Sequence, residues 1–161
     1  VSDFADAGMS GGFIGFTHEH KLVLGNMSKS QAIATGYRDA IEFGPYLIVN
    51  GRKSFIRGNG GWGIAPRSAI GQRQDGIVLF LVTEGTHTMG PNMKEVADVL
   101  AKYGAYNAAN LDGGGSSTLI VRNEQGGFTV MNDPSDGSER ADGNHCLVVM
   151  RDPGFVVNST E

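Results

Sequence analysis

"NMKEVADVLAKYGAYNAANLDGGGSST", residues 92–118, decides most of the fold of this chain. Its first half predicts an amphipathic helix, because the apolar residues recur at helical spacing: Met93, Val96, Ala97, Leu100 and Tyr103. Asn92 and Glu95 form a capping box at its start, and Gly104 marks its end. "YNAANL", residues 106–111, then predicts a strand that leads into the glycine loop.

The segment before the helix predicts a second strand. "GIVLFLVT", residues 76–83, is a continuous apolar run of strand length, so we expect it in the middle of a sheet with both faces covered. Together the two strands and the helix predict a strand–helix–strand unit with a right-handed crossover.

Shorter patterns complete the prediction. Hairpins are expected for residues 12–25, around the polar turn "HEH", and for residues 117–131, around "NEQGG". "YLIVNG", residues 46–51, predicts a strand ending in an Asn-Gly turn, and "HCLVVMR", residues 145–151, a final strand. Residues 28–44 are a weak helical candidate, and residues 56–72, rich in glycine, predict a loop. We therefore expect one α+β domain over residues 1–161, with a mixed β-sheet and few helices.

Composition narrows the function classes. The formal net charge is −4, and neither Lys nor Arg forms a long cluster, which argues against nucleic acid or an anionic membrane as partner. No apolar run approaches the roughly 18 residues of a membrane span. Cys146 is the only cysteine, so no intrachain disulfide can form, and its apolar neighbours predict a buried side chain.

The glycine loop is the clearest candidate site. Asp112 precedes three glycines, residues 113–115, and two serines, Ser116 and Ser117. The loop leads into a strand-like run, lacks the lysine of a P-loop, and has no glycine two residues after Ser116, which argues against a phosphate-binding P-loop and a serine-hydrolase elbow. Two interpretations stay open: a structural turn capped by Asp112, and a nest of backbone N–H groups that binds an anion.

"NLDGGGSSTL" resembles the hallmark of the phosphodiester glycosidase family, which includes the uncovering enzyme that removes N-acetylglucosamine from a 1-phosphodiester link to mannose. Further stretches resemble successive blocks of that family, in the family's order: "EFGPYLIVNG", "APRSAIGQ", "GPNMKEVADVLAKYGAYNAANLDGGGSSTL" and "NDPSDGSER". The resemblance runs from about residue 14 to residue 150.

Two features depart from the family pattern. A short Asn-Gly-Gly-Phe-Phe-like strand that helps to build the family's site has no match before "GFIGFT", so we expect the chain to lack an N-terminal part of the family domain. Where the family usually shows Asp-Gly-Arg, this chain has Glu84, Gly85 and Thr86. One expected cation is thus missing, and His87 is the candidate to replace it.

The resemblance implies a hydrolase that cleaves a glycosyl 1-phosphodiester, and it assigns roles to residues of this chain. Asp112 and Glu139 are the expected acid and base, with a structural ion pair to Arg140 as the alternative for Glu139. Arg67 is the first choice for the phosphate clamp, with a solvated surface arginine as the alternative, since a guanidinium offers a bidentate fork and an arginine just after a loop proline is not needed for packing. The remaining candidates for the phosphate site are Gly113, Gly114, Gly115, Ser116, Ser117, Arg140 and His87.

Other polar clusters are weaker candidates. His18 and His20 flank Glu19 in a turn, where a solvated turn is favoured over a metal site. Residues 132–144 gather aspartates and glycines without EF-hand spacing, so a polar loop is favoured over a calcium site. Trp62 fits sugar stacking and core packing equally well. We predict no metal and no cofactor.

Three classes of function follow. The first is the hydrolase, secreted or at the cell surface, acting on a glycosyl phosphate or polysaccharide such as an exopolysaccharide. The second is a carbohydrate- or phosphate-binding module that keeps the fold without turnover, which the altered Asp-Gly-Arg block and the missing strand would explain. The third is a structural domain of a larger surface protein, which binds no saccharide phosphate.

Overall fold

The computed structural model describes residues 12–60, 63–86, 88–143 and 145–149. Within these ranges the strands and helices are β1 (Gly12–Thr17), β2 (Leu22–Gly25), α1 (Lys29–Ala34), β3 (Tyr37–Phe43), β4 (Tyr46–Val49), β5 (Arg52–Lys53), β6 (Arg67–Arg73), β7 (Val78–Thr83), α2 (Met93–Lys102), β8 (Ala105–Asn110), β9 (Ile120–Arg122) and β10 (Phe128–Val130). Neither helix has the length and apolar character needed to span a bilayer.

Five strands form the main sheet, in the order β5-β4-β8-β6-β7. Because successive side chains of a strand point to opposite faces, β6 and β8 each contribute to two apolar layers. Ala69 and Ala108 face the cluster that contains Leu100 of α2. Ile70 and Ala109 face the second sheet, β2-β1-β3. The chain is therefore layered as helix, five-stranded sheet and three-stranded sheet.

Two side-chain amides, one buried and one partly buried, join the two sheets. The Gln72 side chain accepts a hydrogen bond from the Leu22 N–H and donates to the carbonyls of His20 and Gly76. Asn107, opposite Gln72 in the β6–β8 register, donates to the Leu22 carbonyl. Polar side chains inside a layered core thus fix how β2 lies on the main sheet.

The structure confirms the α+β class with few helices, and most of the predicted elements. Helix α2 begins with the capping box of Asn92 and Glu95 and buries one face. Both predicted hairpins form, as antiparallel β1–β2 and β9–β10 pairs. The Asn-Gly turn after β4 has positive φ at both residues, Asn50 and Gly51, as a tight hairpin turn requires.

The sheet differs from the prediction in two respects. Every strand pair among the described residues is antiparallel, so the sheet is not mixed. Strands β7 and β8, which α2 connects, both pair with β6 and therefore run parallel to each other without being neighbours. Strand β7 lies at the edge of the sheet rather than in its middle, with Phe80 40% exposed.

Three local predictions are wrong. Residues 67–72, the last part of the predicted loop at residues 56–72, belong to the inner strand β6. The helical candidate at residues 28–44 ends as α1 at Ala34, because Gly36 adopts a positive φ and residues 37–43 pair with β1 as strand β3. Of the predicted final strand, residues 145–149 form no strand, and residues 150–151 lie outside the described residues. Cys146 and its neighbours Leu147, Val148 and Val149 are exposed, contrary to the predicted burial of Cys146.

Candidate active site

One end of the main sheet brings together three chain segments. Strand β8 ends there, β6 begins there, and β7 ends there, with Arg67 opposite Thr83 and Ala69 opposite Asn110. The pairing continues past β8, because the Leu111 N–H donates to the Ser68 carbonyl at 2.9 Å. Asp112 and the glycine loop therefore lie beside Arg67.

The glycine loop folds as a single 3₁₀ turn, Gly114–Ser116, and each glycine has its own steric reason. A Cβ on Gly113 would lie 3.0 Å from the Pro66 carbonyl oxygen, and Gly114 has a φ of +61°. Gly115 is buried, and a Cβ there would lie within 3.0 Å of both Asp136 Oδ2 and Arg140 Nη2. Gly113 and Gly115 thus allow two close approaches, and Gly114 provides a left-handed backbone conformation.

Two N–H groups of the loop already have acceptors within the chain. The Gly113 N–H donates to Asp112 Oδ1 at 2.9 Å, and the Gly114 N–H donates to the Pro66 carbonyl at 2.8 Å. The loop in this conformation is therefore not an open nest of three N–H groups. Side chains around it carry most of its capacity to bind an anion.

Arg67 is a buried residue and not a surface arginine. It is 4% exposed and opens β6, contrary to the expectation that an arginine here is not needed for packing. Its Nη2 donates to the Gly63 carbonyl at 2.8 Å and its Nε to the Pro91 carbonyl at 3.5 Å. Burial lowers the pKa of Arg67. The stem of the Arg67 side chain thus passes beside Gly113, where a Cβ would lie 3.8 Å from Arg67 Cδ, and the guanidinium is held by the Gly63 and Pro91 carbonyls.

Arg140, which follows strand β10 in the chain, contacts the glycine loop with its side chain. Its Nη1 donates to Ser116 Oγ at 3.1 Å, and its Nη2 lies 2.5 Å from Asp136 Oδ2. The hydrogen bond and the charge of Asp136 raise the pKa of Arg140, and Asp142 and Asp112 add smaller contributions of the same sign. Arg140 therefore lies within electrostatic range of the predicted catalytic carboxylate, Asp112.

The segment that carries Arg140 is anchored to the site, and we call residues 132–143 the acidic loop. Asn132 accepts from the Leu119 N–H at 2.7 Å and donates to the Ser117 carbonyl at 2.8 Å. The Asp133 N–H donates to Glu84 Oε1 at 3.3 Å. The end of β7 and the glycine loop thus both hold the acidic loop in place.

The two serines of the glycine loop lie in different environments. Ser116 is partly exposed and accepts from Arg140. Ser117 is fully buried, and its Oγ lies 3.2 Å from Ser68 Oγ. The Ser117 hydroxyl therefore has a structural contact, whereas that of Ser116 belongs to the exposed part of the site.

The remaining predicted residues are placed as follows. Asp112 is exposed, and Glu139 is exposed on the acidic loop. The ion pair of Arg140 is with Asp136 and not with Glu139, the partner considered from the sequence. Two predicted residues, His87 and Trp62, lie outside the described residues. Among the residues that are described, no group of three or more His, Cys, Asp or Glu side chains is arranged to hold a metal ion.

A groove of about 410 Å³ opens at the same end of the sheet. Its lining is Pro45, Tyr46, Phe55, Ile56, Arg57 and Gly60. The Pro45 carbonyl accepts a hydrogen bond from the Asn110 N–H at 3.0 Å. Asn110 precedes Asp112 by two residues, so the Pro45 side of the groove lies close to the glycine loop. Phe55 is 89% exposed, so an aromatic ring is available to a ligand there.

A family model described as phosphodiester glycosidase matches residues 2–149 of the chain. The chain belongs to the phosphodiester glycosidase family. The human N-acetylglucosamine-1-phosphodiester alpha-N-acetylglucosaminidase is 40% identical over 74 residues, which are 45% of this chain and 13% of that protein. The SPbeta prophage-derived protein YomE of Bacillus subtilis is 31% identical over 115 residues, 68% of this chain and 17% of that protein.

A solved structure shares the fold of this phosphodiester glycosidase domain. The zebrafish N-acetylglucosamine-1-phosphodiester alpha-N-acetylglucosaminidase catalytic domain, auto-inhibited by its pro-peptide, superposes with a TM-score of 0.64 at 24% identity. The match covers 81% of this chain and 49% of the zebrafish chain. This chain thus spans about half the length of that catalytic domain.

Three residues at the site of this phosphodiester glycosidase domain were not singled out as ligands from the sequence. Glu84 was noted only as a departure from Asp-Gly-Arg, yet it holds the acidic loop through the Asp133 N–H. Asp136 was counted among the aspartates of a polar loop, and Asn132 was not considered. The contacts of Glu84 and Asn132 join positions 13 to 49 residues apart, which periodicity and local spacing do not reveal.

Proposed function

We propose that this domain hydrolyses a glycosyl 1-phosphodiester, of the kind formed by N-acetylglucosamine. One observation carries the proposal: Asp112 lies on a loop that packs against the Arg67 side chain of β6 and that the Arg140 guanidinium contacts from the acidic loop. A phosphodiester carries one negative charge, and arginine binds phosphate with paired N–H donors. Membership of the phosphodiester glycosidase family supports the same chemistry.

In the proposed reaction, water attacks the anomeric carbon and the bond between that carbon and the phosphate oxygen breaks. The products are the free sugar and a phosphate monoester. Asp112 stabilises the oxocarbenium-like transition state or accepts a proton from the water, and Glu139 is the proposed second carboxylate. Because phosphate is a good leaving group, Arg67 and Arg140 contribute chiefly by stabilising the negative charge that it gains.

The groove beside Pro45 is the proposed place for the sugar. Its volume lies in the range of small-molecule sites, and Phe55 offers an apolar face for a pyranose ring. We further propose that the natural substrate is a glycan of a cell surface or an exopolysaccharide, and that the protein acts outside the cell.

Release of free N-acetylglucosamine from an N-acetylglucosamine 1-phosphodiester tests the proposal. We expect turnover by the wild type and a loss of at least about 100-fold in kcat for Asp112→Asn, the size typical of removing an acid–base or electrostatic group. Asp98→Asn is the matched control, since Asp98 is an exposed helix residue paired with Lys53. Equal rates for wild type and Asp112→Asn would refute the role of Asp112.

A binding module without turnover is the second candidate. Two observations favour it: the Gly113 and Gly114 N–H groups already have acceptors within the chain, and Glu84, Gly85 and Thr86 replace the family's Asp-Gly-Arg. Calorimetry with α-N-acetylglucosamine 1-phosphate separates the two functions. Binding without hydrolysis, with similar affinity for wild type and Asp112→Asn, would support the module.

A further inference from the structure

We propose that Asp136 is a positioning residue, which holds the Arg140 guanidinium against the glycine loop in the orientation that binds the substrate phosphate. This role deepens the proposed function and rests on it. Asp136 does not need to touch the substrate; it acts through Arg140.

The geometry of the pair carries the first step. Asp136 Oδ2 lies 2.5 Å from Arg140 Nη2, and the Asp136 side chain is 29% exposed against 49% for Arg140. The second amino group, Nη1, donates to Ser116 Oγ at 3.1 Å. A long arginine side chain on an irregular loop otherwise has many rotamers. Contacts at both amino groups restrict the plane of the guanidinium as well as its position.

Enough donors remain for a phosphate. A guanidinium has five N–H groups, of which one on each amino nitrogen is used by Asp136 and Ser116. Three N–H groups are left, more than the two that a bidentate phosphate contact needs. Asp136 thus orients Arg140 without exhausting its capacity to bind.

The glycine loop is shaped around this pair. A Cβ on Gly115 would come within 3.0 Å of Asp136 Oδ2 and of Arg140 Nη2, so the loop approaches both side chains more closely than any other residue would allow. Glu139 is adjacent to Arg140 in the sequence, yet the pair forms with Asp136, four residues away. The contact is therefore a specific feature of how the acidic loop folds.

Orientation and charge predict opposite effects of removing the carboxylate. If Asp136 positions Arg140, then Asp136→Asn loosens the guanidinium and weakens substrate binding. If Asp136 matters only through its negative charge, its removal lowers the repulsion of an anionic substrate and strengthens binding. The sign of the change in KM therefore decides between them.

The experiment measures kcat and KM for the release of free N-acetylglucosamine from an N-acetylglucosamine 1-phosphodiester, for the full chain and for Asp136→Asn. We expect KM to rise about 5- to 10-fold, because Arg140 already contacts the phosphate of the bound substrate, and kcat to fall as well, because the same guanidinium stabilises the charge that the leaving phosphate gains. Asp75→Asn is the matched control. Asp75 pairs with Arg73 at the same 2.5 Å, at the opposite end of β6.

Each outcome decides the proposal. A raised KM for Asp136→Asn, with Asp75→Asn unchanged and both melting temperatures close to wild type, supports it. An unchanged or lowered KM overturns the positioning role while the proposed function stands. If the wild type neither hydrolyses the diester nor binds α-N-acetylglucosamine 1-phosphate in calorimetry, the proposed function fails, and the positioning role fails with it.

Discussion

Replacing single glycines of the loop by alanine separates stability from function. At Gly114 the space around a Cβ is open and φ is +61°, so the cost is conformational. Left-handed backbone costs an alanine about 1–2 kcal/mol. Loss of the extra freedom of glycine in the unfolded chain returns about 0.5–1 kcal/mol. We expect Gly114→Ala to be destabilised by about 1 kcal/mol.

Gly115 poses the opposite problem. Its φ lies outside the left-handed region, so an alanine can adopt its backbone, but the Cβ displaces the Asp136–Arg140 pair. Both displaced groups are the ends of flexible, partly exposed side chains, and such a pair contributes only about 0.2–1 kcal/mol. The entropy gained by replacing glycine offsets a loss of that size. We therefore expect Gly115→Ala to keep its stability and to bind the diester about tenfold more weakly.

The assay combines thermal unfolding with steady-state kinetics on the N-acetylglucosamine 1-phosphodiester. For a chain of this length, 1 kcal/mol corresponds to a melting temperature shift of about 2–4 °C. We expect such a drop for Gly114→Ala, and a raised KM with an almost unchanged melting temperature for Gly115→Ala. A wild-type KM for Gly115→Ala would show that the close approach of the pair has no role in binding.

Two further predictions concern the fold and its pH dependence. Gln72→Leu leaves the Leu22 N–H buried without its acceptor and should lower the free energy of unfolding, measured by urea titration, by about 1–3 kcal/mol. The control Gln125→Leu, on the exposed β9–β10 turn, should not change it. Equal stabilities of the two variants would contradict the role of Gln72 in joining the two sheets. Burial raises the pKa of the Tyr46 hydroxyl from its ordinary value of 10.0 to about 12. The unfolded chain therefore loses the hydroxyl proton at a lower pH than the folded protein does. As a result, the contribution of Tyr46 to stability is lost as pH rises from about 10 to about 12. Tyr46→Phe, which also lacks the hydrogen bond to the Phe13 carbonyl, should be less stable than wild type at pH 8, and the difference should shrink over that interval; a difference that stays constant would show that Tyr46 titrates normally.

The parts of the fold with strong local signals are those the sequence predicted correctly. Helix α2 has a capping box, an apolar face and a glycine stop, all within residues 92–104. Strand β6 lies inside the sheet but lacks the apolar run typical of an inner strand, because small and polar residues occupy part of it. Gly71 packs against Ala108, and the Gln72 side-chain amide joins the two sheets. Strand β7 was predicted in the middle of the sheet because it is apolar throughout. It lies at the edge because only β6 pairs with it among the described strands, and the sequence of β7 alone does not reveal its partners.

The candidate site divides in the same way. Asp112 and the three glycines are adjacent in the chain, so their pattern was visible and resembled a known family. The contact of Arg140 with Ser116 and the contact of Glu84 with the acidic loop depend on tertiary structure. Burial of Arg67 was missed for the same reason, since the preceding proline indicated a loop while the strand pairing of β6 was not apparent.

Cleavage of the diester in water enriched in ¹⁸O is the most direct test of the central proposal, that the domain is a glycosidase. The released phosphate monoester is read by ³¹P NMR, in which ¹⁸O bonded to phosphorus shifts the resonance. Attack of water on the anomeric carbon leaves the phosphate oxygens unlabelled, and this is the result we expect. A phosphate monoester that carries ¹⁸O would show that water attacked phosphorus, and would contradict the glycosidase assignment.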